Sequence, residues 1–373
     1  PWVKHRLNFL GHSQTTRFLF CALPKRVFME ENVWDKVMTE AVNDALMMLS
    51  NGVVHRQTGQ RYWAATLGVV GDWVFLHKAG NLSRSFNNVQ TNPTHSSGGI
   101  CHLCRAGQHD TPWEVLHSRH PVWLSTLHVQ SPFKNGQEPP FCQLPHVTGC
   151  PAAVLCFDIF HTFHLGIGKT FVGSALADLS DAMPGNNVEQ RFGNLEVDFF
   201  SWCKLAKKSP LLTRLTKDTI QWGSRSEFPQ GNWFKGGVTT VLCEYLEFKL
   251  CNGDWTAYPM LESAGQAATA MNACMRAMYE SHLFLPPETS LHISELGLRF
   301  LRRLAWLAKE ASVQGRALYL LTPKCHVLHH IMLEDLNQRA LRSQTSINPL
   351  GYSTQLCEDF VGRPLSLIHI SEP

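Results

Sequence analysis

The chain has 373 residues, 44% apolar and 17% charged, with a formal net charge of +3. This is the composition of a folded chain able to bury a sizeable core in one elaborated domain or two, and it excludes a disordered or collagen-like protein. No apolar run is long enough to span a bilayer, the first residues do not read as a secretory signal, and the mild positive charge permits nucleic acid binding without requiring it.

In chain order, residues 3–10 and 17–23 read as paired strands around the polar turn Gly11-His-Ser-Gln-Thr15, with Pro24 ending the second. A helix is expected over 31–50, its apolar stripe formed by Trp34, Val37, Met38, Ala41, Ala45, Leu46 and Leu49, with a stop at Asn51-Gly52. Next comes Arg61-Tyr-Trp-Ala-Ala-Thr-Leu-Gly-Val-Val-Gly-Asp72. An apolar, β-prone run broken by Gly71 can deliver Asp72 to the edge of a sheet, where a metal or substrate can reach it; a turn Asp closing the strand is the plainer alternative. Residues 81–151 are rich in Ser, Asn, Pro, Gly and His, and such a segment is expected to need something besides a core, a metal above all, to hold it. Helices are expected at about 169–183, 262–283 and 291–313, with Pro286-Pro287 separating the last two. The aromatic, basic stretch 202–255 has no assigned structure.

Twelve cysteines scattered among nineteen histidines favour metal ligation over a disulfide scaffold. Cys101-His-Leu-Cys104 has the spacing of a metal knuckle, and two thiolates on a tight turn leave a Zn²⁺ two ligands short. His326 and His330 lie at i and i+4, on one helical face. The two pairs together complete a Cys₂His₂ set, with His109, Cys142 and Cys325 as competing ligands. Gly168-Lys-Thr170 hints at a phosphate loop, but Phe163 stands where that motif requires Gly, so an NTPase is rejected. Asp158 and His161, one turn apart, can orient a ligand or phosphate, or else cap and pack a helix. Glu358, beside Asp359, follows the paired histidines and reads as a solvated helix face or as the partner of Asp72 in a two-metal Mg²⁺ site for in-line phosphoryl transfer.

The order Asp72, Cys101/Cys104, Asp158/His161, His326/His330, Glu358 resembles that of the DDE-type cut-and-paste DNA transposases. The nearest are the CACTA and Plavaka-like groups, with more distant kinship to hAT transposases and the catalytic subunit of the V(D)J recombinase. The resemblance is carried by Gly71-Asp72, Cys-His-Leu-Cys and Asp-Ile-Phe-His-Thr-Phe-His-Leu-Gly and spans nearly the whole chain. It implies an α/β fold: a ribonuclease-H-like core, first strand missing, interrupted by a large, mainly α-helical, zinc-stabilised insertion. Residues 1–80 would be the first part of the core and 81–325 the insertion, loop-rich over 81–150 and mainly helical over 151–325. Residues 326–363 would then return to the core. Asp72 and Glu358 would be catalytic, Mg²⁺ the catalytic metal, Cys101, Cys104, His326 and His330 the ligands of a structural Zn²⁺, and Asp158 and His161 the insertion motif. Duplex DNA at element ends would be the substrate, handled in the nucleus by a homo-oligomer with no membrane association.

DNA contacts would fall on Lys204, Lys207, Lys208, Arg214, Lys217 and Lys235, with Trp222 and Trp233 stacking, and on a second basic face at Arg299, Arg302 and Arg303. The family's first catalytic Asp has no counterpart here and is expected upstream of Pro1. Residues 364–373 form a tail in which Leu365-Ser-Leu-Ile-His-Ile-Ser-Glu-Pro373 resembles translated sequencing adapter. The chain is therefore expected to be an inactive fragment. The alternatives are a non-catalytic, zinc-stabilised DNA-binding or interaction module and a related nuclease.

Overall fold

The computed structural model describes residues 33–89 and 98–358. The strands expected at 3–10 and 17–23, Asp359 and the adapter-like tail lie outside the described residues. The chain divides into two compact units, one built from the described residues of Pro1–Pro112, Val122–Asp158 and Tyr352–Pro373, the other from Trp113–Pro121 and Ile159–Gly351.

The first unit opens with helix α1, Val33–Ser50. It buries Val42, with Trp34, Met38, Ala45 and Leu46 packed at the margin of the same core. Leu49, expected on this stripe, is exposed instead. The helix stops where Asn51 N–H closes on the Met47 carbonyl and Gly52 turns to a φ of +67°, a left-handed conformation that glycine adopts without a Cβ penalty. The run 61–70 is not one buried strand. Its start, β2 (Arg61–Tyr62), pairs antiparallel with β1 (Val53–Val54) in an exposed hairpin. Its end, β3 (Val69–Val70), pairs parallel with β4 (Leu155–Cys156). The physical reason for the split is that residues 61–65 are all exposed, with no core face to hold them in one ladder. Helix α2, Trp73–Ala79, follows β3 at once and buries Leu76 and Ala79.

The described residues of 81–151 hold short 3₁₀ turns, among them Val122–Thr126, Lys134–Gly136 and Pro140–Gln143, and an isolated antiparallel bridge between Leu82 and Phe133. They do have a core, contrary to expectation. Leu82, Phe133, Phe141 and Leu144 pack with Leu76, Val154 and Leu155, and Ile100 and Trp123 are fully buried. Irregular backbone here is held by apolar side chains spaced without a period.

The second unit is helical. A π-helical segment, Phe160–Ile167, leads into α3, Gly168–Ala182, followed by α4, Val188–Leu205, and α5, Gly236–Cys251. Helix α6, Pro259–Glu280, packs against α5 and against α7, Pro287–Val313. Pro287 does not merely separate the two long helices: it is the first residue of α7, where its missing N–H costs nothing. Helix α8, Pro323–His330, runs into a second π-helical segment, Ile331–Gln338. Strand β5, Phe284–Leu285, pairs antiparallel with β6, Ser346–Ile347. Phe163 and Phe171 both meet Phe300 edge-on, at 5.8 and 5.3 Å. Gly297 on α7 leaves room for Met332, which a Cβ would strike. Helices α4 and α5 lie in the stretch expected to be mainly helical, at positions to which the sequence pattern assigns no particular helix. Helix α5 is apolar on most faces and buries Val238, Val241, Leu242, Tyr245 and Leu246, so it shows no clean stripe in the sequence. Among the described residues the protein is mixed α/β with helices predominating, and its strands form two-stranded ladders. None of its described helices is long and apolar enough to cross a membrane.

Candidate metal centre

Cys101 and Cys104 occupy a tight turn closed by the Ile100 N–H donating to the Ala106 carbonyl at 2.9 Å. The N–H groups of Leu103 and Ala106 point at the sulfurs of Cys101 and Cys104, each at 3.4 Å, which favours charge on both sulfurs. Between the cysteines, His102 turns away: its Nε2–H donates to the Leu155 carbonyl of β4 at 2.9 Å, and its ring lies on Phe157. The buried Arg84 guanidinium donates to the carbonyls of Cys101, Cys104 and Gln130.

His326 and His330 project from the same face of α8, their ring centroids 4.6 Å apart. His330 Nδ1 meets the Glu334 carboxylate at 2.5 Å, one turn on, which fixes its tautomer and leaves Nε2 as the metal-binding nitrogen. His329, on the same helix, is outside the ligand group. Burial, with His326 and His330 beside it, pushes its imidazole down to about 3, so it is neutral at pH 7.

The four buried side chains Cys101, Cys104, His326 and His330 each offer a ligand atom, and these atoms all lie within 4.8 Å of one another. Two sulfurs and two imidazole nitrogens are the donor set of a closed tetrahedral zinc site, so these residues can bind a structural zinc. The competing ligands are elsewhere. His109 is exposed and paired with Asp110 at 2.7 Å. Burial pushes the Cys142 thiol up to about 12 and that of Cys325 to about 11, which marks both as packing thiols.

The acidic residues have other arrangements. Asp72 follows β3 by two residues, as Asp158 follows β4, so the parallel register places them at matching positions beyond the same end of one ladder. Asp72 is exposed and caps α2, its carboxylate accepting from Phe75 N–H at 2.6 Å. Asp158 is buried and accepts from both the N–H and the hydroxyl of Thr354. Thr354 in turn opens a helical turn over 355–358, its carbonyl accepting the Glu358 N–H at 2.9 Å. Glu358 is exposed, and among the described residues no second group of metal-binding side chains includes Asp72, Asp158 or Glu358. His161 sits on the first π-helical segment, its carbonyl accepting from Lys324 Nζ at 2.8 Å and its ring edge-on to Phe160.

Of the expected basic contacts, Lys208, Arg214 and Lys217 are engaged by Glu244, Glu196 and Glu189. Lys204, Lys207 and Lys235 are exposed. Trp222 and Trp233 are buried and do not stack on a ligand: Trp222 lies beside Phe192, and Trp233 Nε1 donates to Thr239. On α7, Arg299 and Arg303 are exposed, whereas Arg302 approaches Glu295, which Arg119 also holds. Lys169, the lysine of the rejected phosphate loop, lies over the rings of Trp233 and Phe234. Arg84, Glu334 and Thr354 escape the sequence reading. Glu334 alone had a local signal, its i+4 spacing from His330.

No protein-family model, curated protein or solved structure matches the chain.

Proposed function

We propose that the chain is the zinc-stabilised catalytic region of a DDE-type cut-and-paste DNA transposase, a nuclear enzyme that cleaves and joins duplex DNA at element ends, working as a homo-oligomer. The observation that carries this reading is the grouping of Cys101, Cys104, His326 and His330, far apart in sequence, in the order that the transposase resemblance requires. The parallel ladder with Asp72 beyond its end supports the ribonuclease-H-like assignment, because such edges present acids to metals and substrates. In this reading Asp72 and Glu358 contribute carboxylates to a two-Mg²⁺ site, and the ions activate the attacking oxygen and stabilise the leaving one. Zinc has no part in that chemistry: it holds the cysteine turn and α8 in place.

The test does not depend on turnover. Fe²⁺ substituted for Mg²⁺, with ascorbate and peroxide, cuts backbone close to the bound ion. Cuts near both residue 72 and residue 358, lost in Asp72→Asn and Glu358→Gln, are expected. Cuts at only one of these places, or none that Mg²⁺ competes away, would reject the catalytic reading.

A non-catalytic, zinc-stabilised DNA-binding module of the same ancestry is the second reading. It is favoured by the Asp72 carboxylate being engaged as a helix cap. It predicts duplex binding that is indifferent to Asp72→Asn.

A further inference from the structure

Arg84 is 2% exposed, and among the described residues no carboxylate pairs with it. Its guanidinium donates to the Cys104 carbonyl at 2.8 Å, the Gln130 carbonyl at 3.0 Å and the Cys101 carbonyl at 3.3 Å. A guanidinium holds its donors in a rigid fork, so these three bonds tie the backbone of both cysteines of the turn to residue 130.

We propose that Arg84 is the positioning residue of the zinc knuckle: it holds the Cys101 and Cys104 carbonyls in the turn that aims both sulfurs at one point. The proposal rests on the Cys₂His₂ zinc assignment and not on the transposase reading.

The experiment uses the full chain and zinc itself. Metal-free protein is back-titrated with Zn²⁺ against a chromogenic chelator, and Co²⁺ substitution reports sulfur ligation through its thiolate charge-transfer absorption. Arg84→Gln should bind zinc about 10–100-fold more weakly than the parent chain. Arg84→Lys, which keeps the charge but not the fork, should fall between them. Excess zinc should restore the circular dichroism and protease resistance of Arg84→Gln, because mass action recovers a loss that lies in metal affinity. Parent-like affinity in either variant would overturn the proposal, because neither Gln nor Lys keeps the fork on three carbonyls. Misfolding that excess zinc does not restore would make it a folding residue and would equally overturn it. A parent chain that takes up no zinc, or cobalt without sulfur ligation, would instead reject the zinc assignment, and the role of Arg84 with it.

Discussion

At Cys104 the sulfur accepts from Ala106 N–H while its own carbonyl accepts from Arg84, so both ends of the residue are fixed before any metal arrives. Ligand geometry built into the fold in this way lowers the ordering cost of binding. Cys104→Ser should abolish stoichiometric zinc uptake, whereas Cys142→Ala, at a thiol that only packs, should leave zinc content unchanged; equal losses in the two would place the metal elsewhere. Glu334 fixes the His330 tautomer. Glu334→Gln keeps a carbonyl acceptor but removes the charge, and should weaken zinc about 10-fold or more by chelator competition. An unchanged affinity would show that His330 needs no carboxylate behind it.

At the scale of elements, the contact with most consequence is between Asp158, just past β4, and Thr354, at the head of the turn carrying Glu358. Asp158 is buried, and removing it takes away an acceptor of the Thr354 N–H and hydroxyl, a loss of about 1–3 kcal/mol by the usual cost of a broken buried hydrogen bond to a charged group. Asp158→Ala is therefore expected to speed hydrogen exchange at the Glu358 amide and protease attack around residue 355 without altering zinc content. Unchanged protection of that amide would mean the turn is held by other contacts. Helices α6 and α7 read clearly from their sequences because each has one buried and one wet face. In α5 the buried positions nearly encircle the helix, and periodicity has nothing to register. The segment 81–151 misled for the opposite reason: its large apolar residues follow no period, yet they converge in space.

For the whole molecule, the net charge of +3 gives little long-range attraction, so duplex DNA binding must depend on local groups. Lys208, Arg214 and Lys217 are neutralised by neighbouring glutamates, leaving Lys204, Lys207 and Lys235 as the better phosphate contacts. Replacing these three together with Ala should flatten the dependence of log K on log salt by about 2–3, at close to 0.9 per lost contact. Replacing Lys208, Arg214 and Lys217 should change it less. An unchanged slope in the first variant would remove this surface from the proposed interface.

The ligand chemistry and its local geometry are legible in residue order: a CxxC spacing makes a turn, an HxxxH spacing on a helix makes a face, and both follow from backbone periodicity alone. Residue order also placed Asp72 just beyond a strand and located α3, α6 and α7 of the second unit, because a 3.6-residue apolar repeat is a local property. Which cysteines and histidines share a point was decided only by the tertiary structure, since His109, Cys142 and Cys325 carry the same donor atoms and differ only in where the chain takes them. The same holds for Arg84, Asp158 and the buried Trp222 and Trp233. Their partners are brought to them by packing, and burial, which separates a solvent-facing charge or ring from a structural one, is a property of the folded surface and not of residue order.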